Sequence, residues 1–404
     1  MSSEILSFFV DGVMALTWKQ PVMYLIGFIL IWLAVKKDYE PMLLMPIGFG
    51  AILVNLPLET VWEHAGNVGA LKVLFDGGIA NELFPLLIFV GVGAMIDFGP
   101  LFQRPWVVLF GAAAQFGIFA TAIGALLVGA LFKKMGADFN LGWLDPVFQN
   151  GFNLKEAAAI GIIGAADGPT TIFVANTFKL TKLIGPLSVA AYSYMSLVPV
   201  IQPPVIRLLT TKHERMIRME SHDRVVPKAV KIIFPIAVTV LAGILVPVSA
   251  ALIGFLMFGN LLRECGVVDR LSHAAQNELA NIVTLLLGIT IGGTMKADAF
   301  LSFGTILIMV MGLFAFVFDT AGGVLFAKFI NLFLKKKINP MIGACGISAF
   351  PMSSRVIQKM ALKDDPTNVI LMHAVSSNVS GQLGSVIAGG IVLALVPILA
   401  PQLF

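Results

Sequence analysis

Gly164-Ala165-Ala166-Asp167-Gly168-Pro169-Thr170-Thr171 lies between two apolar runs, and a plain membrane helix would tolerate neither its acid nor its helix breakers. Proline cannot donate to the helical ladder, and it disfavours helix in the residue before it. A carboxylate at bilayer depth costs about 2.5–3.5 kcal/mol even on lenient insertion scales. Non-helical backbone at that depth survives only where protein or a water-filled cavity surrounds it. A second stretch has the same character: Asn339-Pro340-Met341-Ile342-Gly343, followed by Gly346, Ser348, Pro351 and Arg355. Paired interruptions, one in each half of a chain, point to an ion- or substrate-handling site near the bilayer midplane.

The surrounding composition is that of a membrane protein. Hydrophobic residues make up 58% and charged residues 12%, with mean hydropathy +0.91, whereas soluble domains are about 45–50% apolar and about 25% charged. That excludes a soluble enzyme and leaves no room for a sizeable soluble domain. A span needs about 20 apolar residues, so this length accommodates about ten crossings of an all-α polytopic protein. Its 39 glycines suit close helix packing and broken helices. Cys265 and Cys345 have neither metal-ligand spacing nor a disulfide framework. The five histidines show no metal spacing either. No P-loop, dinucleotide fingerprint, HExxH or GxSxG occurs, so no recognised motif supports ATP hydrolysis or redox chemistry. Met1–Glu4 lacks a basic n-region, and no cleavable signal is expected.

Apolar runs near 21–35, 41–57, 83–101, 106–132, 184–206, 229–247, 249–262, 281–295, 301–333 and 367–400 read as spans, the last open to interruption. The segment Ile5–Trp18, with Glu4 just before it, places Glu4, Ser7 and Asp11 on one stripe, which reads as an interfacial helix or a subunit contact. The segments 154–178 and 340–360 are too short for two crossings and read as re-entrant hairpins. The loop Arg207–Lys231 carries seven Lys and Arg residues and is assigned to the cytoplasm. Counting crossings from it brings the first hairpin in from outside and the second from the cytoplasm. Gly93-Ala94-Met95-Ile96-Asp97 is echoed by Gly293-Thr294-Met295-Lys296-Ala297-Asp298. After each hairpin comes a polar cluster, Tyr192 to Ser196 in one half and Ser376 to Ser380 in the other. Equal element order with opposite hairpin orientation is the pattern of an inverted-topology repeat. The expected division is 1–75 for N-terminal helices, 76–206 for repeat one, 207–280 for the basic loop and connecting spans, and 281–404 for repeat two.

Asp167 reads either as a solvated loop acid or as a ligand for a hard cation or a proton acceptor, with Thr170 and Thr171 adding hydroxyl oxygens. Broken helices leave free carbonyls beside such a carboxylate. Asn339 and Asn378 read either as interhelical glue, worth about 0.6 kcal/mol, or as neutral ligands. One carboxylate among neutral oxygens suits a monovalent cation better than Ca²⁺ or Mg²⁺. Arg355 either marks the cytoplasmic edge of the second hairpin or is a buried guanidinium for a carboxylate. Ser348 beside it is placed to donate to the same anion or to relay a proton. Tyr194 is either an interfacial anchor or a phenol within the site, and His373 heads the last polar cluster.

These residues resemble a known family. Gly164-Ala165-Ala166-Asp167-Gly168-Pro169-Thr170 is one carrier of the likeness, and Ala191-Tyr192-Ser193-Tyr194-Met195 with Pro199 and Gln202-Pro203-Pro204 is another. The others are Asn339-Pro340-Met341-Ile342-Gly343, Ser348-Ala349-Phe350-Pro351-Met352 with Arg355, and Asn378 with Gly381 and Gly384. Together they are similar to the β subunit of the biotin-dependent, sodium-pumping decarboxylases of oxaloacetate, methylmalonyl-CoA, glutaconyl-CoA and malonate. The resemblance runs from about residue 75 to the C-terminus. It implies a two-repeat, elevator-type transporter fold in a bacterial or archaeal inner membrane. It also implies a subunit that decarboxylates carboxybiotin with uptake of a proton and moves Na⁺ outward. The implied partners are carboxyltransferase and biotin-carrier subunits and a small membrane γ/δ-type subunit, in an oligomer that binds no nucleic acid. Carried over by position, Asp167, Asn339 and Asn378 bind Na⁺. Ser348, Arg355 and Gly343 serve carboxybiotin, and Ser348, Arg355, Tyr194 and Asp167 serve the reaction. The rival reading is a Na⁺-coupled secondary carboxylate transporter or a Na⁺/H⁺ antiporter, which broken helices and a midplane acid suit equally.

Overall fold

A computed structural model describes residues 12, 14–37, 40–64, 66–139, 145–219 and 225–404. The stripe of Glu4, Ser7 and Asp11, together with His222 and Arg224, lies outside them. Long runs of Leu, Ile, Val, Phe and Ala fold as helix because only a helix satisfies its own backbone in lipid. Among the described residues, seven helices are long and apolar enough to cross a membrane: Lys19–Lys37, Pro105–Phe139, Lys228–Leu245, Pro247–Cys265, Asp269–Gly293, Phe303–Phe333 and Leu371–Leu399. Two bent pairs raise the number to nine, Ala70–Ile79 with Leu83–Met95 at 60° and Ile184–Ser196 with Val198–Leu209 at 68°.

Seven to nine spans among the described residues is fewer than the ten or so expected, and the reasons are local. The run at 41–57 forms only the 14-residue helix Pro41–Val54, about 21 Å long against a hydrocarbon core of about 30 Å. The run at 184–206 breaks at Leu197, where Pro199 sits in the first turn of the next helix. The last run is not interrupted and forms Leu371–Leu399 in one piece. A short antiparallel ladder, Glu63–His64 with Asn67–Val68, departs from the all-helical expectation.

Glycine lets two helix pairs come into backbone contact. A Cβ on Gly50 would lie 2.3 Å from the Ile289 carbonyl oxygen, and one on Gly292 2.2 Å from that of Ile47. Between Leu83–Met95 and Ala250–Cys265 the same happens: a Cβ on Gly93 would lie 1.9 Å from the Leu256 oxygen, and one on Gly259 2.0 Å from that of Val90. Buried asparagines finish both contacts. Asn55 Nδ2 donates to the Met295 carbonyl and its Oδ1 accepts from Ala297 N, each at 2.8 Å. Asn260 Nδ2 donates to the Ile96 carbonyl at 2.8 Å. The two echoing glycine motifs are therefore held in like manner.

Both polar interruptions are breaks in helix. Leu154–Ile162 starts from a capping box of Asn153 and Glu156 and tightens into the 3₁₀ turn Ile163–Ala165. Ala166 then turns left-handed at φ 52°, ψ 47°, and Asp167 becomes the N-cap of Gly168–Thr177. In the second interruption, the 3₁₀ helix Pro340–Cys345 is followed by non-helical Gly346 to Phe350 and then the helix Met352–Asp364.

Candidate ion site where the two breaks meet

Pro169 and the left-handed Ala166 keep the helix from closing over Asp167, so its side chain turns back to cap the next helix. Its Oδ1 accepts from Thr170 N at 3.1 Å. Its Oδ2 accepts from two hydroxyls that come from far along the chain, Ser348 Oγ at 3.1 Å and Ser385 Oγ at 2.7 Å. The backbones touch as well, Ser348 N donating to the Ala165 carbonyl at 2.9 Å. The carboxylate is 3% exposed, so water is not its solvent.

Around this crossing are buried oxygens with no hydrogen-bond partner. Thr170 Oγ1 belongs to the turn that Asp167 caps, and Asn378 Oδ1 sits at the second break. Asn378 Nδ2 donates to the Ile347 carbonyl at 2.7 Å, leaving its oxygen the unengaged end of the amide. Tyr192 OH is a third, and its ring packs so close to Gly168 that a Cβ there would lie 2.2 Å from it. Unpaired buried oxygens are costly in a dry site, and a hard cation with oxygen preference removes that cost. No cluster of three or more His, Cys, Asp or Glu side chains occurs among the described residues. The arrangement is oxygen-rich and its donor set at Asp167 carries one carboxylate, a composition that suits a monovalent cation better than a divalent one.

Residues 19–396 match the family described as the Na⁺-transporting oxaloacetate decarboxylase beta subunit. The chain belongs to that family. It is 48% identical over 386 residues to the glutaconyl-CoA decarboxylase subunit beta of Acidaminococcus fermentans, covering 96% of each chain. It is 45% identical over 416 residues to the methylmalonyl-CoA decarboxylase subunit beta of Propionigenium modestum, covering 98% of this chain and all of that one. With the oxaloacetate decarboxylase beta chain of Haemophilus ducreyi it shares 42% identity over 446 residues, 97% of this chain and 98% of the relative. It is a multi-pass membrane subunit of a sodium-translocating decarboxylase, and none of these relatives favours the secondary-transporter reading.

Within this β subunit the residues singled out from sequence are distributed unequally. Asp167, Ser348 and Asn378 come together at the crossing. Asn339 is at the start of the second break. Its Nδ2 donates to the Arg215 and Ile217 carbonyls at 2.8 and 3.0 Å, and its Oδ1 accepts from Met341 N at 3.1 Å. Tyr194 OH donates to the Met309 carbonyl of the neighbouring span, so the phenol beside Asp167 is Tyr192. Arg355 is exposed, not a buried guanidinium; it sits on the outer face of Met352–Asp364, where its charge keeps its water. Gly343 has a packing reason, since a Cβ there would lie 2.1 Å from the Gly323 oxygen. Thr171 Oγ1 donates to the Asp167 carbonyl at 2.8 Å, and the Thr170 hydroxyl faces the Asp167 carboxylate without a full hydrogen bond.

Sequence reasoning missed Ser385, although a signal existed. It lies seven residues after Asn378 in an apolar helix, which puts both on one face.

Proposed function

We propose that this β subunit decarboxylates carboxybiotin and couples that step to outward Na⁺ transport. The substrate is brought by a biotin-carrier subunit loaded at a carboxyltransferase, within an oligomer completed by a small membrane γ/δ-type subunit. In the reaction the bond between the ureido nitrogen and the carboxylate carbon breaks, CO₂ leaves, and the nitrogen keeps the electron pair and takes a proton. One observation carries the reading: two broken segments meet at a buried carboxylate, Asp167, beside oxygens that have no other partner. In this reading Na⁺, the cargo, is bound by Asp167, Asn378 Oδ1 and Thr170 Oγ1. Asn339 joins them through the second lone pair of its amide oxygen.

Anion access has its own support. A cavity of about 730 Å³ lined by Arg104, Arg218, Lys336, Lys337 and His373 opens beside Ile338, where the second break begins. His373 and Asn378 are on one helix, about 7.5 Å apart along its axis at 1.5 Å per residue. A carboxylate drawn to that basic mouth is thus one helical turn and a half from the break. Ser348 and the exposed Arg355 would then hold it, and Ser348, already bonded to Asp167, links the two charges. A ligand moves an equilibrium only through differential affinity, so carboxybiotin and Na⁺ must favour different positions of the breaks.

We further read the chain as an inverted repeat whose glycine-locked pairs frame an elevator-type movement. Support comes from matched contacts. Gly161 abuts Ile118 and Ala122 while Gly343 abuts Gly323 and Ala327; Gly164 abuts Ala315 and Asp319 while Gly346 abuts Phe110 and Ala114. Four pairs of positions thus correspond with one constant offset. The π-turns Phe75–Ile79 and Ala275–Leu279 precede the two echoing motifs in the same way. On this reading the repeats begin earlier than 76 and 281, each with the helix pair before its π-turn.

The test uses the complete complex in proteoliposomes, measuring Na⁺-dependent, avidin-sensitive decarboxylation and Na⁺ uptake. Asp167→Asn is expected to abolish Na⁺ dependence, and Ser385→Ala to raise the Na⁺ half-saturation about tenfold or more, as for one lost bond to a charged group. Wild-type Na⁺ dependence in Asp167→Asn would refute the site.

A further inference from the structure

Asp319 is a buried acid near the crossing that the reading above leaves without work. It lies in the middle of the 31-residue helix Phe303–Phe333 and is 0% exposed. Neither carboxylate oxygen meets a side-chain donor; the groups it faces are the backbone N–H groups of Gly117 and Ile118, with no full hydrogen bond to either. Two amide dipoles do not neutralise a carboxylate in a low-dielectric interior, where an uncompensated charge is costly, and an ionisable side chain inside a span is a functional candidate by default.

Two glycines make room for it. A Cβ on Gly117 would lie 2.1 Å from Asp319 Oδ1, and one on Gly164 2.8 Å from Oδ2. Gly117 is in the first turn of Phe116–Phe139, just after the interruption of that span at Gln115. Gly164 is in the 3₁₀ turn that leads directly to Asp167. The carboxylate therefore reaches two backbone irregularities at once. Thr121, one turn along from Gly117 on the same face, contributes a further buried hydroxyl without a partner.

Packing does not require an acid here. In the matching contact of the other break, Gly346 is met by Phe110 and Ala114, and the place of Asp319 is taken by Ala114. A methyl group fills the equivalent position, so the carboxylate is present for its charge.

We propose that Asp319 is the centre of a second monovalent-cation subsite, separate from Asp167, whose negative charge is neutralised by Na⁺ or by a proton. Because Gly164 shares its turn with the approach to Asp167, a change of occupant at Asp319 displaces the backbone that carries the first site. The inference rests on the repeat reading for the comparison with Ala114 and on the pump reading for the identity of the cations.

The experiment compares wild type, Asp319→Asn and Asp167→Asn, each purified in the full complex, by equilibrium binding of radioactive Na⁺ and by infrared spectroscopy of protonated carboxyl groups. If the occupant is Na⁺, Asp319→Asn binds one Na⁺ fewer per chain than wild type. If it is a proton, Na⁺ binding is unchanged and one carboxylic-acid band disappears. Should Asp319→Asn not fold, Asp319→Glu keeps the test open, since it retains binding at altered affinity or shifts the band. Wild-type Na⁺ binding together with a wild-type infrared spectrum in the Asp319 variant overturns the subsite. An unchanged Asp167→Asn would instead count against the function proposed above, so the two failures are distinguishable.

Discussion

Replacing Gly343 or Gly323 with alanine separates a packing role from a ligand role. A Cβ on either glycine would come within 2.1 Å of the other's carbonyl oxygen, more than about 1 Å inside the 3.5–4.0 Å at which non-bonded atoms attract best. The span Phe303–Phe333 and the 3₁₀ helix Pro340–Cys345 must then part, and overpacking of this kind costs about 1–3 kcal/mol. The displaced segment leads to Ser348, whose bond to Asp167 at 3.1 Å is already at the long end for a hydroxyl donor. Losing it removes about 1.5–3 kcal/mol of interaction with a charged group, equivalent to about a tenfold to hundredfold higher Na⁺ half-saturation. Both single variants are expected to lose thermal stability in detergent and to need more Na⁺ for decarboxylation. The double variant is expected to be less damaged than the sum, because the first methyl group opens the gap for the second. A Gly323→Ala protein with wild-type stability and Na⁺ response, beside an inactive Gly343→Ala, would refute the packing account and return Gly343 to direct contact with substrate.

The two tyrosines should part company. Tyr192→Phe removes the unpaired hydroxyl beside Gly168 and is expected to shift the Na⁺ half-saturation with little change in stability. Tyr194→Phe loses the bond to Met309 and is expected to cost about 1 kcal/mol of stability with the Na⁺ response intact; thermal melts and Na⁺ titrations decide, and the reverse pattern would sink the assignment. At the membrane edge, hydrogen bonds from Arg218 and then Thr367 hold the Asp365 carboxyl down to about 2. A depressed carboxyl contributes stability that is full above its unfolded value near 4 and lost as pH falls toward about 2. The protection of the Arg215–Met219 amides against hydrogen exchange, relative to the intrinsic rate at each pH, is therefore expected to be unchanged from about pH 7 to about pH 5 and to fall only below about pH 4. Lower protection already at about pH 5 would show that this bond does not anchor the loop.

How much was legible beforehand depended on the range of the signal. The composition fixed a membrane protein, and the helix breakers beside Asp167 and Asn339 located both interruptions, because a proline or glycine among apolar residues acts on its own neighbours. The motifs around them carried the family, and family membership followed from the chain alone. What the tertiary structure decided is who meets whom. Ser348 is 181 residues and Ser385 218 residues from the carboxylate they share, and Asp319 finds its room against Gly117 and Gly164. Helices that are hydrophobic nearly all round have no polar face to say which side packs inward, so periodicity could not choose Tyr192 over Tyr194. Glycine did choose, through backbone contacts that no side chain records. The chain alone determined that a charge would be buried at a break, and the packing of distant helices determined which oxygens surround it.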